Sequence, residues 1–227
     1  MHPFFKQLYS SSQLLLDSDL NKLCADGKVF EQDHRGIKVI QLATGDFLKI
    51  FRVRNRFGGT RVYSHARRFF RNAARLIDLS IPTVEVKTLY TLQKKGHAAV
   101  LYQPLAGVSI RDLVQDDSKR MLQTAQTFGA FLARLHAKGI HFHSLHTGNI
   151  LLLPNDNFGL IDISDMTIYP WRLTCYSRLR SFKRLCKYQE DMRVLGGDYW
   201  QEMLSAYLNA SRVSETCRQH LLSFKPF

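Results

Sequence analysis

Residues 28–51 break into short apolar-rich segments joined by polar turns. Lys28-Val29-Phe30-Glu31-Gln32, Ile37-Lys38-Val39-Ile40-Gln41-Leu42 and Phe47-Leu48-Lys49-Ile50-Phe51 read as strands, with Thr44-Gly45-Asp46 turning the chain into the third. A helical spacing follows. Ala66, Phe69, Phe70, Ala73, Leu76 and Ile77 recur at helical spacing, with arginines opposite, and predict a helix over 64–79. It stops before Ile81-Pro82, because the residue preceding proline disfavours helix. Thr83–Val86 and Ala98–Tyr102 predict two further strands around a Lys94-Lys95-Gly96 turn. Pro104-Leu105-Ala106-Gly107 interrupts regular structure, and Ser109-Ile110-Arg111-Asp112 has the character of a capping box opening a short helix. Met121, Leu122, Ala125, Phe128, Leu132 and Leu135 predict one continuous helix over 119–138, with Gly139 as its stop. Asn149–Leu153 and Phe158–Ile161 read as strands around the turn residues Pro154-Asn155-Asp156-Asn157. Gly196-Gly197 breaks the run after that, and residues 198–222 predict a final helix or pair of helices. Residues 1–27 read as a peripheral lead-in with a short helix around Gln13–Cys24.

Composition adds two constraints. The hydrophobic share of 45% over 227 residues is enough for a substantial core, in one domain or two small lobes. The net charge of +13 predicts attraction to a polyanion: nucleotide phosphates, nucleic acid, a phosphorylated glycolipid or an anionic membrane surface. No acid occurs from Phe47 to Ile77, where Lys49, Arg52, Arg54, Arg56, Arg61, Arg67, Arg68, Arg71 and Arg75 accumulate. None occurs from Met166 to Gln189, where Arg172, Arg178, Arg180, Lys183, Arg184 and Lys187 do. Solvated faces are the ordinary account of such runs. Cys24, Cys175, Cys186 and Cys217 form no Cys-x-x-Cys pair, so neither a disulfide framework nor a zinc knuckle is expected, and a reducing cytosol fits. The N-terminus lacks the pattern of a signal peptide, and no apolar run approaches ~20 residues.

The candidate chemistry concentrates at 139–164. A hairpin this short brings its ends together, placing Asn149 beside Asp162. One neutral oxygen ligand beside one carboxylate suits Mg²⁺ on nucleotide phosphates, since Mg²⁺ keeps most of its water. Lys49 shares a strand face with Phe47 and Phe51, and either snorkels at a sheet edge or reaches into a cleft. His136, His141, His143 and His146 cluster around one loop. They serve as local hydrogen-bond partners or, on a second reading, as zinc ligands, and His143 has the acid–base range of a general base.

The run Leu135-His136, Lys138-Gly139-Ile140, Leu145-His146, Gly148-Asn149-Ile150-Leu151-Leu152 and Leu160-Ile161-Asp162-Ile163 resembles the catalytic loop and metal-binding strand of the protein-kinase-like superfamily. It is most similar to the bacterial lipopolysaccharide core sugar kinases and their "toluene tolerance" relatives. The resemblance implies an α+β, two-lobed protein-kinase-like fold. The lead-in would span 1–27, a small β-rich N-lobe 28–103 and a short helical C-lobe 104–227. It also implies ATP- and Mg²⁺-dependent phosphotransfer to a glycolipid core sugar in lipopolysaccharide biosynthesis. Such a protein would be cytoplasmic, with peripheral contact to the anionic inner membrane. Asn149 and Asp162 would be the metal ligands, Lys49 the phosphate-binding lysine, and Gln103 to Leu105 the adenine-binding hinge.

Three departures accompany it. The catalytic aspartate of the pattern D-x-x-x-x-N falls on Ser144, preceded by His143. Helix 64–79 carries no glutamate to pair with Lys49, and Asp33-His34-Arg35-Gly36 offers one glycine where a glycine-rich loop belongs; Arg35 or Lys38 would replace part of its phosphate cradle. His143, Ser144 and Asp162 are therefore the candidate catalytic residues. A pseudokinase that binds nucleotide or an envelope-biogenesis partner without phosphoryl transfer is the alternative. A nucleic-acid-binding module ranks last, because no recognised motif accompanies the charge.

Overall fold

The computed structural model describes residues 12–52, 59–116 and 118–226, without the side chains of 59–64, 115, 116 and 118–120. The fold is mixed α+β: a six-stranded sheet comes first, and helices dominate the remainder of the chain. The described residues divide into two compact units at Leu105/Ala106. The sequence places that break at 103/104, inside the same Pro104-Leu105-Ala106-Gly107 interruption.

In the first unit, β1 (Gln13–Leu15) leads into α1 (Asp17–Cys24), and β2 (Lys28–Asp33), β3 (Gly36–Gln41) and β4 (Phe47–Phe51) continue as an antiparallel meander. α2 (Gly59–Asp78) precedes β5 (Glu85–Leu92) and β6 (Ala98–Gln103). The strand order is β1-β5-β6-β4-β3-β2. Residues 13–15, expected within the short helix of the lead-in, instead form an edge strand parallel to β5, and the helix begins at Asp17. Burial alternates along β4, so a one-residue slip would turn Leu48 and Ile50 outward. Leu48 and Ile50 enter a core with Ile40, Leu42, Leu92 and Ala99, which leaves Lys49 on the opposite face between Phe47 and Phe51. α2 covers that face with Phe69, Phe70, Ala73 and Leu76, while Ile77, expected on its apolar side, is exposed. Arg54 and Arg56, counted in the first basic run, lie outside the described residues.

The second unit begins with β7 (Val108–Ser109) and α3 (Ile110–Asp116). Ser109 caps the helix: the Asp112 N–H donates to Ser109 Oγ at 3.1 Å, while the Asp112 carboxylate accepts from the Ser109 hydroxyl at 2.6 Å, the N-cap half of the expected capping box. The single helix expected over 119–138 is two, α4 (Ser118–Gln123) and α5 (Ala125–Ala137). At the break, Thr124 Oγ1 donates to the Met121 carbonyl at 2.7 Å, a local bond that competes with helix continuation. Leu122, expected in the apolar stripe, is exposed. Gly139 ends α5 at φ +73°, where a Cβ would collide with the carbonyls of Tyr169 and Trp171.

After β8 (Ile140–Phe142), residues 147–149 form a single 3-10 turn, so the expected strand 149–153 shortens to β9 (Ile150–Leu152). β9 pairs with β7 and with β10 (Phe158–Leu160). β11 (Met166–Ile168), which sequence patterning did not reveal, pairs antiparallel with β8. α6 (Cys175–Leu185), α7 (Gln189–Ala210) and α8 (Glu215–Leu222) complete the unit. α7 bends at Gly196, whose φ of 80° and ψ of 171° interrupt the helix where the sequence put a break. The first turns of α6 and α8 are joined by a Cys175–Cys217 disulfide, contrary to the expectation of none. No helix among the described residues is long and apolar enough to cross a membrane.

Candidate functional site

The hairpin β9–β10 does what its length requires. Leu160 lies opposite Ile150, and one step further the Ile161 N–H donates to the Asn149 carbonyl at 3.1 Å. Asn149 and Asp162 therefore leave the hairpin at one end. Asn149 is 8% exposed and donates its amide N–H to the Ser144 carbonyl at 2.9 Å. That bond fixes the loop between them and keeps the amide oxygen for another partner. Asp162 is half-buried and sits at φ +51°, a left-handed conformation that a non-glycine residue holds only under local constraint. Ser164 Oγ lies 3.5 Å from its Oδ1. The pair supplies one carboxylate and one amide oxygen, hard donors that suit Mg²⁺.

The loop between β8 and the 3-10 turn is held from both sides. The β8–β11 ladder continues past its last pair, with the His143 N–H donating to the Asp165 carbonyl at 2.9 Å. Ser144 Oγ then donates to Asp165 Oδ2 at 3.3 Å. The His143 ring turns the other way: its Nε2 lies 3.2 Å from Thr167 Oγ1 and its centroid 4.3 Å from that of His141. Its carbonyl accepts from Arg184 Nη1 at 2.5 Å. On the far side of the loop, Asp191 of α7 accepts from Thr147 Oγ1 and from Arg111 Nε, the latter at 3.1 Å. Arg111 stacks over Tyr188 at 4.1 Å. Burial opposes the charge on Arg111, yet the bonds and charges of Asp191 and Tyr188 raise its pKa overall. Arg111 Nη2 and His146 Nδ1 are buried atoms without a hydrogen-bond partner. Burial, then the charges of Arg111 and Lys187, lower the pKa of His146 against the opposing pull of Asp162 and Asp191.

Arg111, Thr147 and Asp191 are the residues that sequence reasoning missed. One signal was present: Glu190 and Asp191 are the first acids after the acid-free run 166–189. The histidine cluster divides by role. His136 is fully buried, with Nδ1 2.8 Å from the Tyr207 hydroxyl, which also accepts from Arg178 Nη1 at 2.7 Å. Burial first, then Arg178 and His141, push its pKa down to about 3. Burial, then His143, Arg180 and Arg184, push His141 down to about 4. Both rings are neutral core groups at pH 7. Among the described residues no group of three or more His, Cys, Asp or Glu side chains is arranged to hold a metal ion, so the zinc reading has no site there.

The remaining candidates belong to the first unit. Lys49 lies on β4 with its Nζ 5.9 Å from the Phe51 ring centre and 5.7 Å from that of Phe69. Where a kinase helix offers a glutamate, α2 presents the face of an aromatic ring, a weaker cation partner. Lys38, proposed to help replace the glycine-rich loop, instead donates to Glu31 at 2.8 Å on the sheet surface. Gln103 ends β6 opposite Glu85, and Leu105 closes the unit. No family model matches this chain, and no curated protein matches it.

Proposed function

We propose that the protein is an ATP- and Mg²⁺-dependent phosphotransferase of the lipopolysaccharide-kinase type, transferring phosphate to a hydroxyl of an anionic glycolipid core sugar. The observation that carries this reading is the juxtaposition of Asn149 and Asp162 at one end of a hairpin, with the Asn149 amide bonded to the loop carbonyl of Ser144. Asn149 and Asp162 would hold Mg²⁺, which neutralises charge on the nucleotide phosphates. Lys49 would add a cation to those phosphates, and backbone groups at Gln103–Leu105 would meet the adenine. Such catalysis is mostly positioning and charge stabilisation, which the loop, held by Asp191 on one side and β11 on the other, is built to provide. The basic face of α6, with Arg180, Lys183 and Arg184 bordering a groove of ≈ 730 Å³, supplies attraction for a phosphorylated acceptor and for an anionic inner-membrane surface.

The expected result is Mg²⁺-dependent transfer of γ-labelled phosphate from ATP to a glycolipid fraction, abolished by Asp162→Ala. Labelling that persists undiminished in Asp162→Ala would contradict the proposal. Ser144 at the base position, together with the absence of a glutamate from the sequence of α2, favours one second reading, a nucleotide-binding pseudokinase of the envelope. That reading predicts nucleotide binding without transfer.

A further inference from the structure

We propose that Asp165 supplies the carboxylate that the catalytic loop lacks, accepting the proton of the attacking hydroxyl across the Ser144 position. This inference rests on the phosphotransferase reading and names its base. The loop pattern places a serine at the base position, and Ser144 cannot deprotonate another hydroxyl at neutral pH by itself. The fold brings a carboxylate to that serine from a different segment. β11 pairs with β8 as Met166 with Phe142, Thr167 with His141 and Ile168 with Ile140, so the next residue back, Asp165, falls opposite His143. The His143 N–H to Asp165 carbonyl bond extends that ladder, and a strand register is hard to slip when both faces are committed. The Asp165 side chain consequently reaches Ser144, whose Oγ donates to Oδ2 at 3.3 Å.

Ser144 links this carboxylate to the metal-binding asparagine. Its hydroxyl bonds to Asp165 while its carbonyl accepts from Asn149, so the acid, the loop and the proposed ligand form one hydrogen-bonded chain. Asp165 is also half-buried, not sealed, as a group that must meet an acceptor has to be. His143, the alternative base, has its ring turned to Thr167 and His141. In the step itself the acceptor oxygen forms a bond to the γ-phosphorus of ATP. The bond from that phosphorus to the β,γ-bridging oxygen breaks, its electron pair leaves with ADP, and the hydroxyl proton passes to Asp165.

The test moves the carboxylate. Phosphate release from MgATP, with water as acceptor, is compared for wild type, Asp165→Asn, Ser144→Ala and the exchange Ser144→Asp with Asp165→Ser. Binding of a non-hydrolysable ATP analogue is measured in parallel. Asp165→Asn is expected to bind the analogue within about twofold of wild type and to lose about 10²–10⁴-fold in phosphate release. The exchange variant, which keeps a carboxylate in the pair, recovers at least about tenfold of that loss. In nucleotide-free protein, thermal unfolding of Asp165→Asn, Ser144→Ala and the double variant is expected to be non-additive, as partners in one hydrogen bond should be. Wild-type release by Asp165→Asn, strict additivity, or no recovery in a folded exchange variant would overturn the inference, as would wild type that binds MgATP without releasing phosphate. Wild type that fails to bind the analogue at all would instead overturn the phosphotransferase reading beneath it.

Discussion

At the scale of single residues, a few buried polar groups with partners from distant segments hold the candidate loop. Asp191 holds both Arg111 and Thr147, so Asp191→Ala leaves a partly buried guanidinium and a buried hydroxyl without their acceptor. A loss of about 2–3 kcal/mol in urea unfolding is expected, and a loss below about 0.5 kcal/mol would show that the pair does not anchor the loop. His136 sets a pH limit. Its pKa is near 6.5 in the unfolded chain and about 3 in the fold. The unfolded state therefore binds a proton that the folded state refuses. The stability that neutral His136 contributes is present above about pH 6.5 and falls by up to about 1.4 kcal/mol per pH unit down to pH 3. Comparing urea midpoints at pH 7 and pH 5 should show this slope in wild type and a flatter one in His136→Gln; equal slopes would refute the assignment. Asn149 and Asp162 were legible in the sequence because a short hairpin dictates proximity. Asp191 was not, because nothing local ties it to a loop 44 residues earlier.

At the scale of elements, packing decides matters that propensity cannot. Gly129 lies inside α5, where alanine should by propensity gain about 1 kcal/mol. Here a Cβ would meet the Met203 carbonyl and stand 2.9 Å from the Tyr207 nitrogen, because α5 and α7 approach backbone to backbone. Gly129→Ala is therefore expected to destabilise by about 1–3 kcal/mol, and stabilisation on melting would contradict the close approach. The longer elements were readable: α2 and β2 to β4 lie where the sequence puts a helix and three strands, and β4 matches its expected bounds. Of the three-residue strands, β9 and β10 were readable from the turn between them, and β11 was not. β11 has three residues, too few for a period, and exists because β8 offers it a ladder. The expected helix 119–138 showed an unbroken apolar period, but the Thr124 hydroxyl bond that divides it leaves no trace in that period.

At the scale of the whole molecule, the chain of net charge +13 passes from a sheet-based unit to a helix-rich unit at Leu105/Ala106. Cysteine spacing gave no hint of the Cys175–Cys217 pair, since it depends on how the first turns of α6 and α8 come together. With a sequence separation of 42 between the two, the cross-link should contribute up to about 4 kcal/mol by restricting the unfolded chain. Urea unfolding of Cys217→Ser against wild type checks this, and equal midpoints would contradict it. Net charge bears on partners, not on fold, and makes anion affinity fall with salt.

The most direct test of the central claim is calorimetric titration with a non-hydrolysable ATP analogue, with and without Mg²⁺. Wild type, Asp162→Ala and Lys49→Ala are compared. A working nucleotide site gives saturable binding that requires Mg²⁺, disappears in Asp162→Ala and weakens at least about tenfold in Lys49→Ala. No binding to folded wild-type protein, or binding indifferent to both Mg²⁺ and Asp162, would contradict it.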